Sequence, residues 1–100
     1  MNYITLEQIK KQCRIDSWFT EDDEMLVDIG DGAESYLANY LDADLDDIAA
    51  QNGGELPKNL VRALLMFCDY LYDASGSGKM ENIPQAFYTL AIPYKNYSVV

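Results

Sequence analysis

Apolar and polar positions alternate along this chain with the period of a helix almost from end to end. Near the start, Leu6, Ile9 and Cys13 fall at helical spacing, with Lys10, Lys11 and Arg14 mostly on the other face. Thr5 followed three residues on by Gln8 is a capping-box pattern: the hydroxyl accepts from a free first-turn amide while the side-chain amide reaches back. A short helix is predicted from Leu6 to Cys13, and Ile15-Asp16-Ser17-Trp18-Phe19 breaks the pattern and links to the next element. Thr20 then precedes Glu21, Asp22, Asp23 and Glu24, carboxylates placed where the positive end of a helix dipole favours them. Leu26, Ile29, Ala33, Leu37 and Tyr40 or Leu41 continue at i+3/i+4 spacing, which predicts a helix of roughly 30 Å with one apolar stripe. Gly30 and Gly32 inside it read as places of close helix approach or a bend, with a hinge as the functional alternative.

Asp44 is placed to cap a short helix through Ala50, and Asn52-Gly53-Gly54 supplies the turn that ends it. Pro57 suits a helix first turn, where its missing amide costs nothing. In the helix that follows, Leu60, Val61, Leu64, Leu65, Cys68, Leu71 and Tyr72 form the stripe, and Met66, Phe67 and Tyr70 widen it into the arc of a central helix with several neighbours. Asp69 and Asp73 keep part of it wet, and Ser75-Gly76-Ser77-Gly78 ends it. Pro84 opens a last short helix with Ala86, Phe87, Leu90 and Ala91 inward, which Pro93 stops. The fold class is therefore all-α: a small bundle of two long antiparallel helices with shorter N-terminal, middle and C-terminal helices, in one domain spanning residues 1–100. Residues 94–100 carry two tyrosines and two terminal valines, so this tail either folds back on its own domain or docks on another chain.

Composition narrows the function. Apolar residues make up 49% of the chain, which argues for a folded domain, and no apolar run approaches a membrane span, so the protein is read as soluble and intracellular. A net charge of −10 repels phosphate and anionic lipid and disfavours sequence-specific DNA binding. Cys13 and Cys68 sit among helix-forming apolar residues as buried thiols, and the absence of histidine removes nucleophile systems built on it and makes a zinc site unexpected. Asp42 to Asp47 imitates the start of a calcium loop, but Asp47 and Gly53 stand where that loop needs glycine and glutamate. Gly76-Ser77-Gly78-Lys79 lacks the strand and glycine spacing of a phosphate loop. The carboxylates fall in charged runs or on helix exteriors, away from the desolvation that a general acid requires. No catalytic residue and no cofactor is expected. Eight tyrosines exceed what a core this size needs and suit either a rim or an interface.

Ile4-Thr5-Leu6-Glu7 through Arg14-Ile15-Asp16, the acidic Glu21–Glu24 entry to a helix carrying Ala33-Glu34-Ser35-Tyr36-Leu37, Leu56-Pro57 heading the central helix, and Ile83-Pro84 with Ala91-Ile92-Pro93-Tyr94-Lys95 follow one another in the order of a known family. Together they resemble the head–tail connector proteins of long-tailed bacteriophages and prophages. The resemblance implies a non-catalytic adaptor, self-associated in a ring, usually dodecameric, beneath the portal protein and next to tail-side connector proteins. Such a ring extends the channel through which DNA passes, in the virion neck, after assembly in the host cytoplasm. The acidic middle helix and the residues after Pro93-Tyr94-Lys95 depart from the commonest pattern.

An acidic lumen lets phosphates pass without sticking, and the net charge suits it. Pairing of Lys10, Lys11 and Arg14 with Glu21, Asp22, Asp23 and Glu24 of a neighbour would supply a head-to-tail contact, and Tyr94, Tyr97, Val99 and Val100 a docking tail. Two other readings stay open on sequence grounds. One is a small acidic regulator that binds a basic protein surface by imitating DNA. The other is a carrier protein modified on Ser17, although Trp18 stands where the carrier motif has leucine.

Overall fold

The computed structural model describes residues 1–77 and 83–95. Among these the chain forms α1 (Leu6–Gln12), α2 (Asp23–Leu41), α3 (Leu45–Ala50), α4 (Lys58–Ser77) and α5 (Gln85–Ala91), the last tightening into a 3-10 turn at Ile92–Tyr94. The two long helices run antiparallel: Asp22 at the entry of α2 meets Tyr72 far along α4, while Tyr36, later in α2, meets Phe67, earlier in α4. Around them α1 packs on both, and α5 lies along α4.

Helix starts follow local chemistry. The Thr5 hydroxyl accepts the Gln8 amide at 3.1 Å and the Gln8 side chain accepts the Thr5 amide at 2.8 Å, closing the capping box. Asp44 accepts the Asp46 amide at 2.9 Å and starts α3. The Pro57 carbonyl receives the amides of Leu60 and Val61 as α4 begins.

Helix ends follow a different logic. Arg14 (φ 60°) and Asp42 (φ 52°) take the left-handed conformation after α1 and α2, as Gly53 (φ 73°) does after α3. In each case an amide one residue further on returns to the last turn: Ile15 to the Lys10 carbonyl at 2.8 Å, Ala43 to Ala38 at 3.2 Å, and Gly54 to Ala49 at 2.8 Å. These six-to-one bonds satisfy carbonyls that the helix leaves open, and only the third uses the glycine that such a turn prefers.

The core combines Leu26, Leu37 and Leu41 of α2 with Leu60, Leu64 and Cys68 of α4, Ile9 of α1 and Phe87 of α5, all fully buried. Ala63 and Phe67 are buried too, whereas Val61, Leu65, Leu71 and Tyr72 are half-buried, so the inward face of α4 is turned from the expected stripe toward Phe67. The reason is aromatic packing. Phe67 meets Tyr36 and Phe87 edge to face at 4.8 and 5.0 Å between ring centroids, the geometry favoured by ring quadrupoles.

Three further details depart from expectation. The α2 helix begins at Asp23, not after Thr20, because the chain first turns (Asp23 amide to Thr20 carbonyl, 3.2 Å) and Asp22 is held by Tyr72. Pro93 does not mark the end of helical structure: α5 stops at Ala91 and the 3-10 turn runs through the proline. Of the two glycines, Gly30 is the one under close approach. A Cβ there would lie 2.0 Å from Met1 Sδ and 3.0 Å from Ile9 Cδ1, whereas at Gly32 it would meet nothing within 4 Å.

Glu34 carries the least expected role. Its side chain is buried on the inner side of α2 and accepts the backbone amides of Asn2 at 3.0 Å, Tyr3 at 3.0 Å and Ile4 at 3.2 Å. One carboxylate thus holds the segment entering α1 and places Ile4 and Met1 over α2.

Candidate subunit-contact surface

The residues of the predicted contact gather around the link between α1 and α2. Lys10 departs from its expected exposure: its stem is buried, and its ammonium lies 2.8 Å from Asp23 Oδ1 and donates to the Ser17 carbonyl at 3.3 Å. The contact with Asp23 is an ion pair, not an aligned hydrogen bond. Burying the four-carbon stem while keeping the head beside a carboxylate lets a charged residue occupy an inward position. Asp22 accepts the Tyr72 hydroxyl at 2.7 Å, and that bond raises the tyrosine pKa above its ordinary value. Three of the seven candidates therefore serve the fold of their own chain, while Lys11, Arg14, Glu21 and Glu24 stand exposed.

Between them lies Trp18, which is 76% exposed. Its chain neighbours Asp16 and Ser17 line a cleft of about 560 Å³ floored by Leu6 and Ile15 and rimmed by Lys11. Asp23 also lines this cleft and is shared with a groove of about 470 Å³ formed by Glu24, Val27 and Asp28. The cleft holds Glu7, Asp16 and Asp23 beside Lys10 and Lys11, so Lys11 and Glu24 border hollows that share Asp23. Sequence reasoning treated Trp18 as part of a linker; the available signal was an indole outside any helical stripe, between Ser17 and Phe19.

At the other end, Tyr94 is half-buried against the core and Lys95 places its ammonium 4.4 Å from the centre of the Tyr40 ring, so the first residues of the expected tail fold back on the domain. Tyr97, Val99 and Val100 lie outside the described residues.

Burial, and Asp69 beside it, push the Cys13 thiol up to about 11; burial, with Cys13 and Glu34 nearby, pushes Cys68 up to about 12. Both thiols stay protonated and unreactive at neutral pH. No group of three metal-ligating side chains gathers among the described residues, and no helix there is long and apolar enough to cross a membrane.

The comparison with known families is decisive where the side chains are not. The model of the phage gp6-like head–tail connector protein family matches residues 3–95. The chain belongs to that family. A gp6-like head–tail connector is a structural, non-catalytic protein, and its role entails contact with head and tail proteins of the phage. In this connector the matched region runs from the segment clamped by Glu34 to the Lys95 that covers Tyr40. No curated protein and no solved structure matches the chain.

Proposed function

We propose that this connector forms a ring, twelve-fold on its portal, at the virion neck, where it extends the DNA channel and offers its far side to the tail-side connector proteins. The observation that carries this reading is the family match over residues 3–95. The net charge of −10 supports it, because a channel wall poor in cations lets duplex phosphates slide past instead of binding them. Assembly takes place in the host cytoplasm.

Contact between ring neighbours is proposed for the exposed part of the predicted patch: Lys11 and Arg14 of one subunit against Glu21 and Glu24 of the next. Lys10 and Asp23, being paired at 2.8 Å inside the chain, position this face and do not bridge subunits. Residues 96–100, with Tyr97, Val99 and Val100, are proposed to dock on the portal or on a neighbouring subunit.

Electron microscopy of the protein mixed with the portal of its own phage tests the reading. A ring of added density coaxial with the portal is expected. Free portals beside free connector at saturating concentration would refute it. Deletion of residues 97–100 should weaken portal binding while leaving the helical circular dichroism unchanged.

A further inference from the structure

We infer that ring neighbours meet at a second point, where Lys58 and Arg62 of one subunit enter the acidic hollow formed by Asp31, Asp44 and Asp46 on the next. The inference rests on the ring reading and names residues that complete its subunit contact.

Charge is spread unevenly along this chain. Twelve of the seventeen acidic residues lie between Glu21 and Glu55, a stretch without lysine or arginine, so the remainder holds five acids against seven cations. The fold carries this division into space. On α2, Leu26, Gly30, Ala33 and Leu37 are buried, which leaves Glu24, Asp28, Asp31 and Ser35 exposed along the opposite side of the helix. Asp31 and Ser35 border a hollow of about 380 Å³ together with Asp44 and Asp46 at the start of α3. Asp31 holds the Met1 ammonium yet keeps its side chain 55% exposed, and Asp44 and Asp46 stand exposed beside it, so the hollow stays net negative. On α4, Leu60, Leu64, Phe67 and Cys68 are buried, while Lys58 and Arg62, four residues apart, are exposed on the side turned away from them. The Asn2–Tyr3 segment lies between the two patches, bordering the acidic hollow and also the one lined by Lys58.

Two observations mark these cations as available to a partner. Among the described residues, neither forms an ion pair within the chain. Lys58 also stands in the first turn of α4, where the helix dipole disfavours a cation and no acidic residue accompanies it. A side chain that weakens its own helix and answers nothing in its own fold fits a carboxylate supplied from outside. A second copy of the chain supplies it, because its acidic hollow is exposed and lacks a lysine or arginine. Different patches meeting in this way make a head-to-tail contact, the kind that closes into a ring. Its sense agrees with the pairing of Lys11 and Arg14 with Glu21 and Glu24: cations from α1, its end and α4 face acids from α2, its entry and α3, so one rotation serves both.

Electron microscopy of portals mixed with charge-altered chains tests the contact. Lys58→Glu and Arg62→Glu should each raise the connector concentration at which half the portals carry a ring by about fivefold, since reversal turns attraction into repulsion. Both variants should melt no lower than the parent, because an acid replaces a cation near the start of α4, so lost rings cannot be put down to lost fold. Ser35→Lys adds a cation to the hollow without removing a carboxylate and should weaken rings as well. Ser35→Lys combined with Arg62→Glu should restore them. A parent that builds rings while Arg62→Glu and Ser35→Lys build them equally well overturns the contact and leaves the ring reading standing. Rings weakened by both single changes and not recovered in the double variant also overturn it. A parent that adds no ring to its portal removes the ring reading, and the contact with it.

Discussion

The hydroxyl of Tyr36 in α2 lies 2.9 Å from the hydroxyl of Tyr88 in α5, and this hydrogen bond closes an aromatic cluster around Phe87. Phe87 is fully buried among Tyr36, Tyr40, Phe67 and Tyr88, so α5 is fastened by ring packing with the hydroxyl pair at its edge. Tyr88→Phe keeps the ring and leaves the Tyr36 hydroxyl to water at a partly buried site. It should cost about 1 kcal/mol in urea unfolding. Phe87→Ala empties the centre of the cluster and should cost about 3–5 kcal/mol.

Alkaline pH should destabilise the protein. The Cys13 thiol is raised from 9.0 to about 11 and the Cys68 thiol from 9.0 to about 12, both chiefly by burial; the Tyr36 hydroxyl is raised from 10.0 to about 12, chiefly by its bond with Tyr88. The unfolded chain releases these protons first, so the stabilising contribution is complete below pH 9.0 and is lost as pH rises through about 11 to 12. Urea midpoints taken at increasing pH should fall across that window. A flat profile would contradict the burial of Cys68 and the partial burial of Cys13, which the sequence had suggested would be complete.

Glu34→Gln should loosen the N-terminal segment. The carboxylate accepts three backbone amides, and charged acceptors are worth more than neutral ones. Replacement by an amide removes the charge and turns one acceptor into a donor facing an amide. A loss of roughly 1.5–3 kcal/mol is expected. Hydrogen exchange at Asn2, Tyr3 and Ile4 should accelerate more than exchange at the centre of α4.

The two glycines of α2 should respond differently to alanine. At Gly32 the added methyl meets open space, so helix propensity alone acts and Gly32→Ala should stabilise by up to about 1 kcal/mol. At Gly30 the same methyl displaces the flexible end of Met1 and presses on Ile9, which offsets the gain in propensity. Thermal melts should therefore rank Gly32→Ala above the parent and Gly30→Ala below Gly32→Ala.

Arg14→Gly separates two roles of one residue. Arginine in the left-handed conformation at the end of α1 is strained relative to glycine by about 1 kcal/mol, so the variant should melt higher. It also removes an exposed cation from the proposed ring contact, so ring formation on portals should weaken at the same time. Calorimetry and sedimentation on one preparation check both signs.

Much of the fold was legible because local chemistry and the hydrophobic period agree. Thr5 with Gln8, Asp44, Pro57 and Pro84 each mark a helix start, and the order of these short segments along the chain carried the family. What stayed hidden depends on partners distant in sequence. Arg14 and Asp42 end their helices without the glycine that signals such a turn. Glu34 looked like a surface residue because its acceptors are answered by amides some thirty positions away, |i−j| being 30 to 32. Asp22 and Asp23 matched a first turn by charge, yet Tyr72 and Lys10 drew them into tertiary contacts. Lys10 followed the polar pattern, but its stem was long enough to run beneath the link and return a charge to Asp23.

The ammonium that joins Asp23 to the Ser17 carbonyl fixes the loop at its middle and at its exit. A loop braced in this way has given up much of its freedom, so the exposed indole of Trp18 rides on a stretch of chain held at two points. Cutting the brace with Lys10→Met would change no exposed side chain, yet amide exchange through the loop should quicken, because two anchorages rest on that one ammonium.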